Sequence, residues 1–312
     1  MHPRQPPLSA RLHAAPAALA LLVLAAAAVL GGSRAEPTGP PAAASFAPGS
    51  FTVERIDAGQ DHRVALVSAP AGADPDTPLP VLIALHGSGG GNASTFALET
   101  GLAEAADGAI VVFPESWVGT WNAGDCCLDA QDLGVDDVGF VVAIIDRLVD
   151  GGRADPERIY LAGFSNGGML AHAVGCAHPD LIAGVAAVSA SLTSPCGEQR
   201  PARVLLIHGT ADRLVRLEGY DGWTPTGRPY AYPSMDTVVA GYVDALGCEA
   251  GTDPIVDGDS TLTDHPCPHG GLVRTRIIDG GGHGWPGNRV VPYGFDVDAT
   301  SAIVDFLGLG RS

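Results

Sequence analysis

The chain contains no lysine: all 17 of its Lys and Arg residues are arginine. Without an ε-amine there can be no P-loop lysine on a phosphate, no Schiff-base or pyridoxal lysine and no kinase-type catalytic lysine. Basic residues are also few against 35 acids, which gives a formal net charge of −18 over 312 residues. Nucleic-acid binding needs a basic patch that releases counterions from phosphate, so the acid excess argues against that partner. Glycine and proline number 42 and 25, a turn-rich composition that stays below the level of low-complexity disorder. With 46% hydrophobic residues, the chain can bury a sizeable core in one large domain or two small ones.

Only one long apolar run is present, and it lies at the N-terminus. Residues 1–13 carry Arg4 and Arg11 and no acid, and residues 14–30 are almost wholly Ala, Leu and Val. Ser33 and Ala35 then place small residues for a cut before Glu36. The expectation is a signal peptide over 1–35, a flexible Pro/Ala-rich leader over 36–50 and one folded domain over 51–312. An uncleaved membrane anchor is the alternative, since the run approaches the length of a span. Cleavage predicts a secreted, extracellular protein with no stable membrane association. It also removes Arg4, Arg11 and Arg34, making the net charge three units more negative.

From Phe51 onward, short apolar runs alternate with helical patterns. Residues 51–56 and 63–69 read as a hairpin of edge strands. Continuous apolar runs at 80–85, 109–113, 158–163, 182–189, 204–208 and 272–278 read as strands buried on both faces. Helical patterns fall at 95–106, 138–149, 167–177, 235–246 and 299–307, and Asp155-Pro156-Glu157 is a turn signal. This alternation predicts an α/β fold with a mostly parallel central sheet and helices on both faces. In such sheets the chemistry lies beyond the carboxyl ends of the strands.

Three of the loops at those ends carry a nucleophile and its partners. Gly163-Phe164-Ser165-Asn166-Gly167 follows a strand and opens a helix, which is the context a G-x-S-x-G elbow requires. A serine hydroxyl needs a histidine base held in one tautomer by a carboxylate. The run 204–208 leads into Gly209-Thr210-Ala211-Asp212, and 272–278 leads into Asp279-Gly280-Gly281-Gly282-His283-Gly284. Ser165, Asp212 and His283 are therefore the candidate catalytic residues. His86-Gly87-Ser88-Gly89 follows the first buried strand, where this architecture supplies an oxyanion donor. The backbone N–H groups of Asn166 and Ser88 are the candidate donors, with the His86 imidazole tying down the loop. His208 reads as a packing residue.

These motifs, with Phe113-Pro114-Glu115, Trp121-Asn122, Cys126-Cys127, Val135-Asp136-Asp137-Val138-Gly139-Phe140 and Gly282-His283-Gly284-Trp285-Pro286-Gly287, occur in the order found in a known group. The chain resembles the secreted polyhydroxybutyrate depolymerases, feruloyl esterases and acetylxylan esterases of the α/β-hydrolase fold. The resemblance spans roughly residues 78–290. It implies carboxylic ester hydrolysis through an acyl-enzyme, with Ser165, Asp212 and His283 as the triad and no metal or organic cofactor. It leaves open whether the ester, small or polymeric, is a polyester, a hydroxycinnamoyl ester or an acetyl ester. A prolyl-oligopeptidase-like peptidase and a non-catalytic cell-surface binding protein are the alternatives on the same fold.

Six cysteines, an even number in an exported chain, predict disulfides. Cys248 with Cys267 is the preferred pair because it closes a Gly/Asp/Pro-rich loop, a constraint worth about 3 kcal/mol in the loop-entropy model. Cys126 and Cys127 then pair with Cys176 and Cys196 in some order. A metal site at His265-Pro266-Cys267-Pro268-His269 is the rival reading, weakened by the lack of a second ligand pair. Trp285, near the proposed base, and Trp121, in a loop, are candidate substrate contacts. The segment 220–233 reads as a lid or a substrate-facing loop.

Overall fold

The computed structural model describes residues 51–58, 61–74, 76–89, 91–126, 128–223 and 229–310. The expected signal peptide and leader lie outside the described residues. Twelve strands follow in order: β1 (Thr52–Ala58), β2 (Asp61–Ser68), β3 (Leu79–Leu85), β4 (Ile110–Pro114), β5 (Ala154–Phe164), β6 (Gly184–Val188), β7 (Arg203–Gly209), β8 (Tyr220–Trp223), β9 (Pro229–Tyr232), β10 (Ile255–Asp257), β11 (Ser260–Pro266) and β12 (Leu272–Ile278). The helices are α1 (Ala93–Thr100), α2 (Leu102–Ala105), α3 (Leu128–Asp132), α4 (Asp137–Asp150), α5 (Asn166–Ala177), α6 (Met235–Leu246) and α7 (Ala299–Leu307).

Ten strands form one sheet in the order β1-β2-β4-β3-β5-β6-β7-β12-β11-β10. The six from β4 to β12 run parallel, and antiparallel pairs extend both sides. The sequence reason is visible in β3, where every residue from Pro80 to Leu85 is buried. Val81, Ile83 and Leu85 pack with Phe140, Ile144, Leu170 and Tyr242 on one face. Leu82 and Ala84 pack with Phe96, Ile303 and Phe306 on the other. Alternate residues of a strand point to opposite faces, so a run that is apolar at every position buries both.

Four local departures from the sequence reading have physical causes. The helix expected over 95–106 breaks into α1 and α2 because Gly101 is left-handed, with φ 61°. The turn signal at 155–157 lies inside β5, where Asp155 Oδ1 accepts the Glu157 N–H beside a register shift. Of the expected edge hairpin only β1 is an edge, since β2 also pairs β4. The Gly/Asp/Pro-rich loop between Cys248 and Cys267 contains β10 and β11, which continue the sheet beyond β12.

Cys248 and Cys267 are bonded, as the loop argument predicts. That bond also removes Cys267 from any metal set with His265 and His269. The other pairing is corrected: Cys176 bonds Cys196, tying the end of α5 to the loop after β6. Their 20-residue separation closes a local loop that crosses only one strand, an arrangement invisible without the αβ path. Cys126 is disulfide-bonded as well, and Cys127 lies outside the described residues.

His172 on α5 is fully buried, and its Nδ1 meets the Tyr242 hydroxyl at 2.8 Å. Burial, with Arg200 nearby, pushes its pKa down from 6.5 to about 4. The folded state therefore holds it neutral while the unfolded chain protonates below pH 6.5. This contribution to stability is complete above that value and is lost as pH falls toward 4. Between pH 7 and pH 5 it amounts to about 2 kcal/mol. Urea unfolding at both pH values measures the loss, and His172→Leu is expected to remove this part of the pH dependence.

Candidate active site

Four loops at the carboxyl ends of β3, β5, β7 and β12 converge. Ser165 sits between β5 and α5 with φ 52° and ψ −122°, a conformation strained for any residue with a side chain. Two glycines permit the turn. A Cβ on Gly163 would strike the Gly167 backbone, and a Cβ on Gly167 would strike the carbonyls of Leu85 and His86. The start of α5 thus rests directly on the end of β3. The Ser165 N–H donates to the Val188 carbonyl at 2.9 Å, which fixes the elbow against β6.

His283 Nε2 lies 3.0 Å from Ser165 Oγ, and His283 Nδ1 lies 2.8 Å from Asp212 Oδ2. With Nδ1–H donating to the carboxylate, the Nε2 lone pair faces the serine hydroxyl. Asp212 Oδ1 accepts the N–H groups of Leu214 and Val215, each at 2.9 Å, so the loop after β7 wraps its own acid. Burial works to raise the Asp212 pKa. Hydrogen bonds from His208 and His283, the His283 charge and the Val215 N–H outweigh it and hold the carboxyl far below its usual range. His208 therefore does more than pack. Its Nε2–H donates to the Val215 carbonyl at 2.6 Å and stands 3.4 Å from Asp212 Oδ2.

The loop after β3 brings His86 and Ser88 to the same end. His86 is buried, which pushes its pKa below the usual imidazole value. Its Nδ1–H donates to the Gly87 carbonyl at 2.8 Å, while Ser88 is exposed. Asn166 is buried and begins α5, so its N–H is one of the first-turn donors without an intrahelical acceptor.

The two candidate tryptophans stand elsewhere than expected. Trp121 is wholly enclosed and donates through Nε1 to the His86 carbonyl at 2.8 Å. Trp285 is buried against Phe96 and donates to Thr300 Oγ1 at 3.1 Å. Neither ring presents a face to substrate in this structure; a tryptophan in a Gly-rich loop looks exposed until the loop folds over it. The exposed tryptophans are Trp117 and Trp223.

Three supporting residues escape the sequence reading. Ser189, at φ 49°, donates through Oγ to the Gly284 carbonyl beside His283 at 3.2 Å. Tyr293 donates to the Gly282 carbonyl on the other side. Burial and the Asp212 charge push its pKa up to about 12, which keeps it a donor. Tyr232 receives the Arg216 N–H at 2.9 Å and donates to the Leu214 carbonyl at 3.2 Å. The segment expected as a lid thus contains a β8–β9 ribbon that pins the acid loop, with 224–228 outside the described residues. None of these three carries a motif. Their partners are backbone carbonyls and amides, which no side-chain pattern reveals.

A serine, a histidine and a carboxylate in hydrogen-bonded line, on a mostly parallel sheet covered by helices, define an α/β-hydrolase. Comparison with known proteins sharpens that class. Residues 64–254 match the family described as Esterase PHB depolymerase, and the chain belongs to that family. It is 33% identical to "Putative esterase NocK" of Nocardia uniformis subsp. tsuyamanensis, over 88% of this chain and 90% of that protein. It is 32% identical to Feruloyl esterase B of Piromyces equi over 71% of this chain, spanning 42% of that longer protein. Among solved structures, the acetyl xylan esterase from Aspergillus awamori shares the fold, with a TM-score of 0.62 at 13% identity. That likeness covers 84% of this chain and 100% of that one. The protein is a carboxylic ester hydrolase.

Proposed function

We propose that the protein is a secreted serine esterase that works through an acyl-enzyme, with Ser165 as nucleophile, His283 as general base and acid, and Asp212 as the group that orients it. The observation that carries this reading is the unbroken line from Asp212 Oδ2 through His283 to Ser165 Oγ, at 2.8 and 3.0 Å. Ser165 Oγ attacks the ester carbonyl carbon and its proton passes to His283 Nε2. The buried carboxylate of Asp212 stabilises the imidazolium that forms. The carbonyl oxygen, now an oxyanion, accepts the N–H groups of Asn166 and Ser88. Collapse expels the alcohol, which takes the proton from His283. Water then enters by the same route in reverse and releases the acid.

The names of the relatives favour a feruloyl or acetyl ester as substrate, with poly(3-hydroxybutyrate) as the runner-up. Residues 1–35 serve as the export signal in this reading, and residues 51–312 as one catalytic domain. Among the described residues no helix is long and apolar enough to cross a membrane.

The test pairs a covalent label with a substrate panel. A fluorophosphonate is expected to modify the peptide containing Ser165 and abolish hydrolysis of methyl ferulate, acetylated xylan or poly(3-hydroxybutyrate) film. Labelling elsewhere with full inactivation, or activity confined to peptides, overturns the reading.

A further inference from the structure

The loop after β4 contributes nothing to the triad, yet one of its residues touches both segments that carry the oxyanion donors. The Trp121 N–H donates to Asn166 Oδ1 at 2.7 Å, and the Trp121 carbonyl accepts from Asn166 Nδ2 at 2.9 Å. Its indole Nε1–H donates to the His86 carbonyl at 2.8 Å. We propose that Trp121 is a positioning residue that clamps the two halves of the oxyanion hole at a fixed separation, with the Asn166 side chain as its counterpart. This inference rests on the serine mechanism above.

A primary amide presents a carbonyl and an N–H side by side, as a backbone residue of a strand does. The reciprocal pair with Trp121 therefore acts as one rung of a ladder between the loop and the elbow. All of these atoms belong to residues that are essentially inaccessible to water. Leaving a buried donor or acceptor unpaired costs about 1–3 kcal/mol, so the arrangement resists loosening. The same residue whose side chain is held this way carries the backbone N–H next to the nucleophile.

The other half is set by two consecutive peptide planes. The His86 carbonyl shares a plane with the Gly87 N–H, and the Trp121 indole fixes it. The Gly87 carbonyl shares the next plane with the Ser88 N–H, and His86 Nδ1–H holds that carbonyl at 2.8 Å. In a trans peptide the carbonyl and the N–H point in opposite directions, so tying back the Gly87 carbonyl aims the Ser88 N–H away from it. The indole packs against the His86 ring at a 45° tilt, with centroids 4.9 Å apart, which joins the two restraints.

Behind the clamp the loop is anchored to the body of the fold. Asp137 Oδ2 accepts the Asn122 N–H at 2.6 Å, and Asn122 Nδ2 donates to the Val135 carbonyl at 2.9 Å. The Arg63 guanidinium on β2 pairs with Asp137 at 2.7 Å and lies 5.6 Å from the centre of the Trp121 ring. An oxyanion donor works only when it meets the oxygen of the transition state at about 2.7–3.1 Å. A clamp that relaxes by a few tenths of an ångström should therefore slow the chemical step while leaving ground-state binding alone.

The experiment uses the full-length protein with Trp121→Phe, and with β-benzothienylalanine at position 121, an isostere that replaces only the N–H. Both are expected to lower kcat by about tenfold or more, with KM within about twofold of wild type. Affinity for a trifluoromethyl ketone, whose adduct with Ser165 places an oxyanion in the hole, should fall by a similar factor. Tyr242→Phe, which breaks a buried hydrogen bond to His172 away from the site, should lower Tm without changing kcat. If the phenylalanine variant does not fold, the isostere decides. Wild-type kcat and inhibitor affinity in the folded isostere overturn the clamp. Ser165→Ala is assayed alongside: wild-type rates there defeat the serine mechanism itself, whereas its inactivation beside normal Trp121 variants defeats the clamp alone.

Discussion

Replacing Ser165 by alanine is expected to lower kcat on a short-chain p-nitrophenyl ester by about 10⁵–10⁶-fold, while leaving folded stability nearly unchanged. In the proposed mechanism the loss is large because the hydroxyl is the group that His283 and Asp212 activate, so removing it disables all three together. Stability is spared because alanine at φ 52° bears the same backbone strain that serine does. Glycine does not, since it lacks the Cβ that makes this region unfavourable. Ser165→Gly is therefore expected to be equally inactive yet more stable than wild type by about 1 kcal/mol. Urea unfolding and ester hydrolysis on the same preparations check both. A stable, active alanine variant would reject Ser165 as nucleophile, and an unstabilised glycine variant would reject the strain.

Asp212→Asn is expected to reduce kcat by about 10⁴-fold with the fold intact. The substitution misplaces a proton as well as removing a charge. Asp212 Oδ1 accepts two backbone N–H groups, from Leu214 and Val215, so the carbonyl of an asparagine will be drawn to that side. Its NH₂ then faces His283 Nδ1 and demands a lone pair there. The imidazole must respond by carrying its proton on Nε2, where it cannot accept one from Ser165. Steady-state kinetics, with a nuclear magnetic resonance measurement of the His283 tautomer, tests this account. Near-wild-type kcat would show that Asp212 is dispensable, and a lowered kcat with an unchanged tautomer would reject the proton account.

How far the sequence could be read depended on whether a residue works through its side-chain type or through its backbone neighbours. Buried strands such as Pro80–Leu85 announced themselves because burial on both faces demands an unbroken apolar run. The helices Met235–Leu246 and Ala299–Leu307 lie where their patterns place them. The candidate triad was legible because Ser165, Asp212 and His283 each follow a strand end, with glycines on both sides of Ser165 and His283. The roles of Ser189, Tyr232 and Tyr293 were not, since each grips a backbone carbonyl, which carries no side-chain signature. The tryptophans misled for a related reason. Trp121 and Trp285 sit in loops that composition marks as open, and three-dimensional closure buries both. Pairing of Cys176 with Cys196 likewise needed the path of α5 and β6.

By itself, then, the sequence determined the class of fold, the alternation of buried strands with helices along the chain, the three residues of the candidate triad and the reach of the Cys248–Cys267 bond. Those features follow from local rules: period, glycine placement and residue chemistry act within a few positions of one another. Tertiary structure alone decided which loops meet. It set Asp212 and Ser165 on opposite sides of one imidazole, folded Trp121 between the elbow and the His86 loop, and turned His208 from packing into a partner of the acid loop. Apart from the His208–Val215 bond, such contacts join residues tens of positions apart through single hydrogen bonds, and no one-dimensional pattern records a distance in space.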